Sequence, residues 1–186
     1  PVVLALPRGG VTLGEEVARQ LKAPLDVVVV RKLGVPWQPE LAMGAMAGTT
    51  RVLDQAILDQ FGISNQDVEA VIARETREME RRERLYRGSR PAPDLAGRNV
   101  ILVDDGLATG STMLAAVRHV HAAKPRKVVV AVPVASAQAC RRFQKEADEC
   151  VCLATPEPFF AVGEWYEDFR QVTDAEVQEV LSRVAG

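Results

Sequence analysis

The segment Val100-Ile-Leu-Val-Asp-Asp-Gly-Leu-Ala-Thr-Gly-Ser-Thr112 constrains the fold more than any other part of the chain. Val100 to Val103 is a short apolar run bounded by polar residues, the pattern of an inner strand of a parallel sheet, and Met113 to His121 continues with helical spacing. The loop between them therefore lies at the carboxyl end of a strand. In an α/β sheet that is where the first-turn N–H groups of the following helix lack intrahelical partners and where the helix dipole favours an anion.

A phosphate fits such a loop. Gly106 and Gly110 permit a tight turn and close backbone approach, and the hydroxyls of Thr109, Ser111 and Thr112 add donors for phosphate oxygens. Asp104 and Asp105 need a different partner, because two carboxylates beside a phosphate repel it unless they accept hydrogen bonds from hydroxyls or face a hydrated divalent cation such as Mg2+. A sugar phosphate with vicinal hydroxyls meets both demands.

This segment resembles the phosphoribosyl pyrophosphate (PRPP) signature of the type I phosphoribosyltransferases, in which hydrophobic residues precede two acidic residues and a short loop containing Thr-Gly. The resemblance implies that Asp104 and Asp105 hold the ribose hydroxyls and that Ala108 to Thr112 wrap the 5-phosphate. Two further segments agree with it. Val2 to Leu6 is an apolar strand followed by Pro7-Arg8-Gly9-Gly10 and a helical pattern from Val11 to Leu21, similar to the pyrophosphate loop of that family. Arg8 offers a charge-assisted fork, and Gly9 and Gly10 offer bare N–H groups to a diphosphate. Relatives often hold a non-proline cis peptide here, which would fall at Pro7-Arg8. The third segment, Val27 to Lys32, reads as a strand ending in charge on the same sheet edge; it resembles the Arg-Lys pair of adenine- and orotate-type members, which implies that Arg31 and Lys32 contact pyrophosphate.

Leu33 to Leu41, with Gly34, Pro36, Trp37 and Pro39, is too punctuated for a helix and reads as a loop. In the family a mobile loop at this place closes over the substrate before a third strand, here expected near Ala42 to Ala47, and excludes water from a reactive sugar cation. The implied chemistry is displacement of pyrophosphate from the ribose anomeric carbon by a nitrogen nucleophile. The chain would position the sugar and stabilise the departing diphosphate with Arg8, Arg31, Lys32, backbone donors and Mg2+, which Asp104 and Asp105 would hold indirectly, through substrate and water. Hypoxanthine-type members carry an acid where this chain has Ala108, whereas adenine- and uracil-type members carry Ala, so a hypoxanthine or guanine acceptor is not expected.

The remainder bounds the picture. With 186 residues and 47% hydrophobic composition, a single domain over 1–186 is expected, with a core over about 1–154, an inserted helix over about 64–90 and a hood over about 155–172. A net charge of -2 with few interleaved aromatics argues against a nucleic-acid surface, and no apolar run approaches a membrane span. Cys140, Cys150 and Cys152 are an odd set without a metal-ligand spacing or a nearby His, read as core or surface thiols; with no signal peptide evident they point to a reducing cytoplasm. The chain opens at Pro1 directly on a strand, so a preceding segment is expected.

Strand and helix alternate again through Lys127–Val134, Ala137–Ala147 and Glu149–Leu153, which predicts an α/β fold around a parallel sheet of about five strands. Ser64 to Arg90 predicts one long helix with Val68, Ile72, Met79 and Tyr86 along one stripe. Its arginines form a solvated, salt-bridged face or lean over the cleft or a homodimer partner; both readings stay open. Phe159, Phe160, Trp165, Tyr166 and Phe169 cluster in Thr155 to Arg170, where family members carry a hood over the acceptor, and flat rings gain from stacking on aromatic faces. Those aromatics either stack on a small-molecule acceptor or pack the hood onto the sheet. Asp174 to Val184 reads as a closing amphipathic helix. Three functions follow: a Mg2+-dependent phosphoribosyltransferase, a sensor that kept the PRPP pocket, or a hydrolase of a phosphorylated ribose.

Overall fold

A computed structural model describes residues 1–184. Strand β1 (Val2–Ala5) leads through α1 (Gly10–Leu21) to β2 (Leu25–Val27). Strands β3 (Val30–Val35), β4 (Gln38–Ala47) and β5 (Thr50–Leu53) follow, then helices α2 (Gln55–Phe61) and α3 (Asn65–Arg87). Alternation resumes with β6 (Asn99–Val103), α4 (Ser111–Ala122), β7 (Lys127–Val134), α5 (Ala137–Glu146) and β8 (Glu149–Ala154), and a short 3-10 turn at Val162–Trp165 precedes α6 (Asp174–Val184).

The core is a five-stranded parallel sheet in the order β2-β1-β6-β7-β8. Its inner strands are valine-rich because both faces are covered. Along β1, Val3 and Ala5 enter one apolar layer with α1, α3 and α6, while Val2 and Leu4 enter the opposite layer with α4 and α5. The period of two thus feeds two cores at once, as a doubly covered sheet requires.

Two expectations need correction. The apolar run from Val27 does not form one strand that ends in charge: the core strand stops at Val27, and Val30 begins a separate three-stranded antiparallel sheet, β3-β4-β5. Arg31 and Lys32 therefore lie inside β3, paired with Met46 and Ala45 of β4. The segment read as a loop, Leu33 to Leu41, is the arm of this hairpin, with Val35 opposite Gln38 and the turn at Pro36-Trp37. Its Gly and Pro residues mark the turn and the register shifts on either side of Gly34. Ala42 to Ala47 is a strand, as expected, but of this second sheet.

Helix α3 is continuous, and the stripe Val68, Ile72, Met79 and Tyr86 is buried. It starts in a capping box, the Ser64 hydroxyl accepting from the Asp67 N–H at 3.1 Å and Asp67 Oδ2 accepting from the Ser64 N–H at 3.3 Å. It ends at Arg87, three residues short of the expected extent, and its arginines are mostly satisfied within the chain. Arg81 and Arg82 donate to Glu78 and Arg87 binds buried Asp26 of β2, while Arg90, just beyond the helix, donates to the Leu181 carbonyl. The solvated, salt-bridged reading holds for the exposed part of the row, and Arg87 is a structural tie.

Candidate functional site

Two loops meet at the carboxyl edge of the parallel sheet. β1 and β6 are neighbours, and the Leu6 N–H donates to the Val103 carbonyl at 2.9 Å, so the Pro7–Gly10 loop and the Asp104–Thr112 loop emerge side by side. The Pro7-Arg8 peptide is cis, as the resemblance implied. The loops touch so closely that no side chain fits between them. A Cβ on Gly9 would lie 2.0 Å from Asp105 Oδ2, and one on Gly10 would lie 2.5 Å from the Val103 carbonyl oxygen.

The helix termini here differ from those elsewhere in the chain. α2, α3 and α5 start with side-chain caps from Asp54, Ser64 and Ser136, and the Thr173 hydroxyl accepts from the Glu176 N–H at the start of α6. α1 and α4 have no side-chain cap, and their N-cap residues are Gly9 and Gly110. These two helices open onto the same sheet edge; at α1 the Gly10 and Val11 N–H groups donate to the Leu6 and Arg8 carbonyls, so Gly10 does not offer the bare donor expected from sequence, whereas the first turn of α4 has no capping side chain over it. Gly110 adopts a positive φ of 74°, and a Cβ there would meet the Phe143 ring at 2.4 Å, so the turn into α4 requires glycine. The loop is braced from beneath by α5: the Ser136 hydroxyl donates to the Ala108 carbonyl at 3.0 Å and Arg142 donates to the Thr109 carbonyl at 3.5 Å.

Asp104 and Asp105 make no ion pair with any described residue. Burial, then the Asp105 charge, pushes the Asp104 carboxyl up to about 8, although the Asp105 N–H donates to Asp104 Oδ1 at 2.9 Å and opposes the shift. Burial also raises Asp105. Between its ordinary value near 3.8 and about 8, Asp104 holds a proton in the folded chain that the unfolded chain has released. Stability of the unliganded chain therefore falls as pH rises through that window. The expected result is a wild-type melting temperature lower at pH 8 than at pH 5, with a shallower decline in Asp104→Asn; equal declines in thermal unfolding scans would contradict it.

Beside the acidic pair lies a cleft of about 480 Å³, within the range of small-ligand sites. Arg8, Gly9 and Asp105 form one wall, and Tyr166, Phe169 and Arg170 of the hood form the other. The Tyr166 hydroxyl donates to the Asp105 carbonyl at 2.6 Å, and Val162 sits where a Cβ on Gly106 would be. The hood is thus seated directly on the acidic loop. Of the aromatic cluster, Tyr166 and Phe169 line the cleft with ring centroids 5.1 Å apart, whereas Phe159, Phe160 and Trp165 are outside its lining. Phe160 is 76% exposed.

Asp174 was not singled out by sequence. It lies 4.0 Å from Arg8 and accepts a hydrogen bond from the Tyr86 hydroxyl at 2.5 Å, which places a carboxylate beside the cleft arginine. Sequence carries no local signal for a contact between residues so far apart. Arg31 and Lys32 are not brought into the cleft lining. Arg31 pairs with Glu75 of α3 at 2.8 Å, and Lys32 donates to the Glu40 carbonyl across the hairpin at 2.8 Å. Cys140, Cys150 and Cys152, read from sequence as core or surface thiols without a metal-ligand spacing, come together in one cluster.

Paired carboxylates thus lie between two helices without side-chain caps, with an arginine and a glycine loop alongside, at one sheet edge of an α/β domain. Residues 1–168 match the phosphoribosyl transferase domain family, and the chain belongs to that family, with its type I fold. Two Mycobacterium tuberculosis proteins, from strains CDC 1551 and H37Rv, carry the provisional name phosphoribosyl transferase. Each is 48% identical over 183 residues, covering 98% of this chain and 41% of the relative, so the chain spans about two fifths of their length. The crystal structure of TT1426 from Thermus thermophilus is 47% identical, with a TM-score of 0.84, over 100% of this chain and 88% of that one.

Proposed function

We propose that the chain binds PRPP and transfers its phosphoribosyl group to a nitrogenous acceptor, a nucleobase or related heterocycle, with release of pyrophosphate. The observation that carries this reading is the pair of uncapped helices, α1 and α4, flanking Asp104 and Asp105 at one sheet edge. Two separated anion sites with hydroxyl acceptors between them match a ribose bearing a phosphate at one end and a diphosphate at the other.

In this mechanism the Thr109 to Thr112 loop and the first turn of α4 take the 5-phosphate, and Asp104 and Asp105 accept from the ribose hydroxyls. Arg8, with the N–H group of Gly9, faces the diphosphate. The anomeric C–O bond breaks with its electron pair leaving on the diphosphate, a C–N bond forms from the acceptor nitrogen, and the proton that nitrogen carried passes to solvent or to the released pyrophosphate. Tyr166 and Phe169 offer ring faces to the acceptor and help exclude water. The residues fit Mg2+: Asp105 Oδ2 is turned into the Gly9 cradle, and neither carboxylate is neutralised by a cation among the described residues. Asp104 and Asp105 would hold the ion indirectly, and it would supply positive charge to offset that of the departing diphosphate. Ala108 supplies no acid or base at its loop position, which favours adenine- or uracil-type acceptors over hypoxanthine and guanine.

A second reading is supported by Arg31 and Lys32, the cations expected at the diphosphate, being engaged by Glu75 and Glu40. With these held away from the cleft, the domain would bind PRPP as a sensor without transfer. Pyrophosphate release from Mg2+-PRPP over a panel of nucleobases tests both. Release with one base establishes transfer and names the acceptor; efficient guanine use overturns the Ala108 argument. Binding without release by any base supports the sensor, and ribose phosphate formed without an acceptor identifies a hydrolase.

A further inference from the structure

Strand β8 is the outer strand of the parallel sheet, and its period of two turns Cys150 and Cys152 to the same face, toward α5. Cys140 of α5 reaches the same point. The three sulfurs lie within 4.8 Å of one another, with Cys150 and Cys152 at 3.6 Å, and all three thiols are free and partly buried.

Three sulfurs bound to one d10 cation at about 2.3 Å stand about 3.8–4.0 Å apart, which is close to the separation found here. Clusters of thiols select soft cations over Mg2+, whose preference is for oxygen. We propose that Cys140, Cys150 and Cys152 form a three-thiolate site for a thiophilic d10 cation of the Zn2+ and Cd2+ kind, leaving a fourth coordination position open to solvent.

Such an ion would join α5 to β8. It would act at a distance from the acidic cleft, because α5 is also the element that braces the loop at Ala108 and Thr109 through Ser136 and Arg142 and packs Phe143 under Gly110. Three ligands from two elements would hold that helix in place, a structural role independent of whether PRPP is the substrate. Each bound thiol releases its proton as its metal–sulfur bond forms, and no oxidant is involved.

The test is an anaerobic titration of the reduced, chelator-stripped chain with Cd2+, read by thiolate-to-metal charge-transfer absorbance, and with Zn2+ by competition against a chromophoric chelator. The expected result is saturation at one equivalent per chain, no response to Mg2+, and affinity at least tenfold weaker in Cys140→Ser, which removes the helical ligand but keeps the Cys150 and Cys152 pair. Native mass spectrometry of the wild type reads the stoichiometry without depending on any variant. Absence of one-equivalent binding, or binding that survives replacement of each cysteine in turn, would overturn the site. So would a chain two protons lighter, carrying a disulfide under the reducing conditions in place of metal.

Discussion

Gly10→Ala is expected to weaken PRPP binding by about a hundredfold or more and to destabilise the fold by about 1–3 kcal/mol, the range for forcing extra atoms into a packed site. The added Cβ would lie 2.5 Å from the Val103 carbonyl oxygen and 2.9 Å from Asp104 Cα. Both are backbone atoms at the end of an inner strand, so no side-chain rotation relieves the clash. The β1 and β6 loops must separate, and on the proposed reading they hold the groups that face the diphosphate and the ribose hydroxyls respectively. A displacement of roughly 1 Å between groups that act together is enough for losses of this size. Calorimetry with Mg2+-PRPP beside urea unfolding would check it, and wild-type affinity in this variant would show that the loops do not cooperate in binding.

Arg87→Ala is expected to cost about 2–4 kcal/mol of stability. Arg87 Nε donates to Asp26 Oδ2 at 2.9 Å and Nη2 donates to the Val27 carbonyl at 3.1 Å, tying the end of α3 to an outer strand of the core sheet. Asp26 is 8% exposed, so removing its partner leaves a largely buried carboxylate without its cation. The penalty comes from the stranded carboxylate more than from the lost contact, and Arg87→Ala combined with Asp26→Asn should regain part of it. Arg84 of the same helix, 71% exposed in its pair with Glu80, should change stability by no more than about 0.5 kcal/mol when replaced by Ala. Equal losses for Arg84 and Arg87 in denaturant unfolding would sink this distinction.

The inner strands were legible because a doubly covered sheet writes itself as valine runs, and α3 was legible from its buried stripe. The Asp104–Asp105 loop and the glycines after β1 were legible because their neighbours in sequence are also their neighbours at the sheet edge. The boundary at Val27 was not. Val27 to Val30 is a single apolar run that leaves one sheet and enters another, and no polar residue or glycine marks the crossing. The hairpin arm at Leu33 to Leu41 reads as a loop because its Gly and Pro residues interrupt any local period, while what makes it a strand is the pairing of Leu33 with Gly44, Gly34 with Ala42 and Val35 with Gln38 across the turn. Asp174 beside Arg8, Tyr166 on the Asp105 carbonyl and the meeting of Cys140 with Cys150 and Cys152 all depend on how distant segments pack, which local pattern does not encode.

PRPP binding to the whole chain, measured by calorimetry with Mg2+ present in wild type and in Asp104→Asn with Asp105→Asn, tests the central claim most directly. One site per chain is expected in the wild type, with loss of binding in the doubly substituted chain, which should still fold. No binding to the wild type, or equal affinity in both, would contradict it.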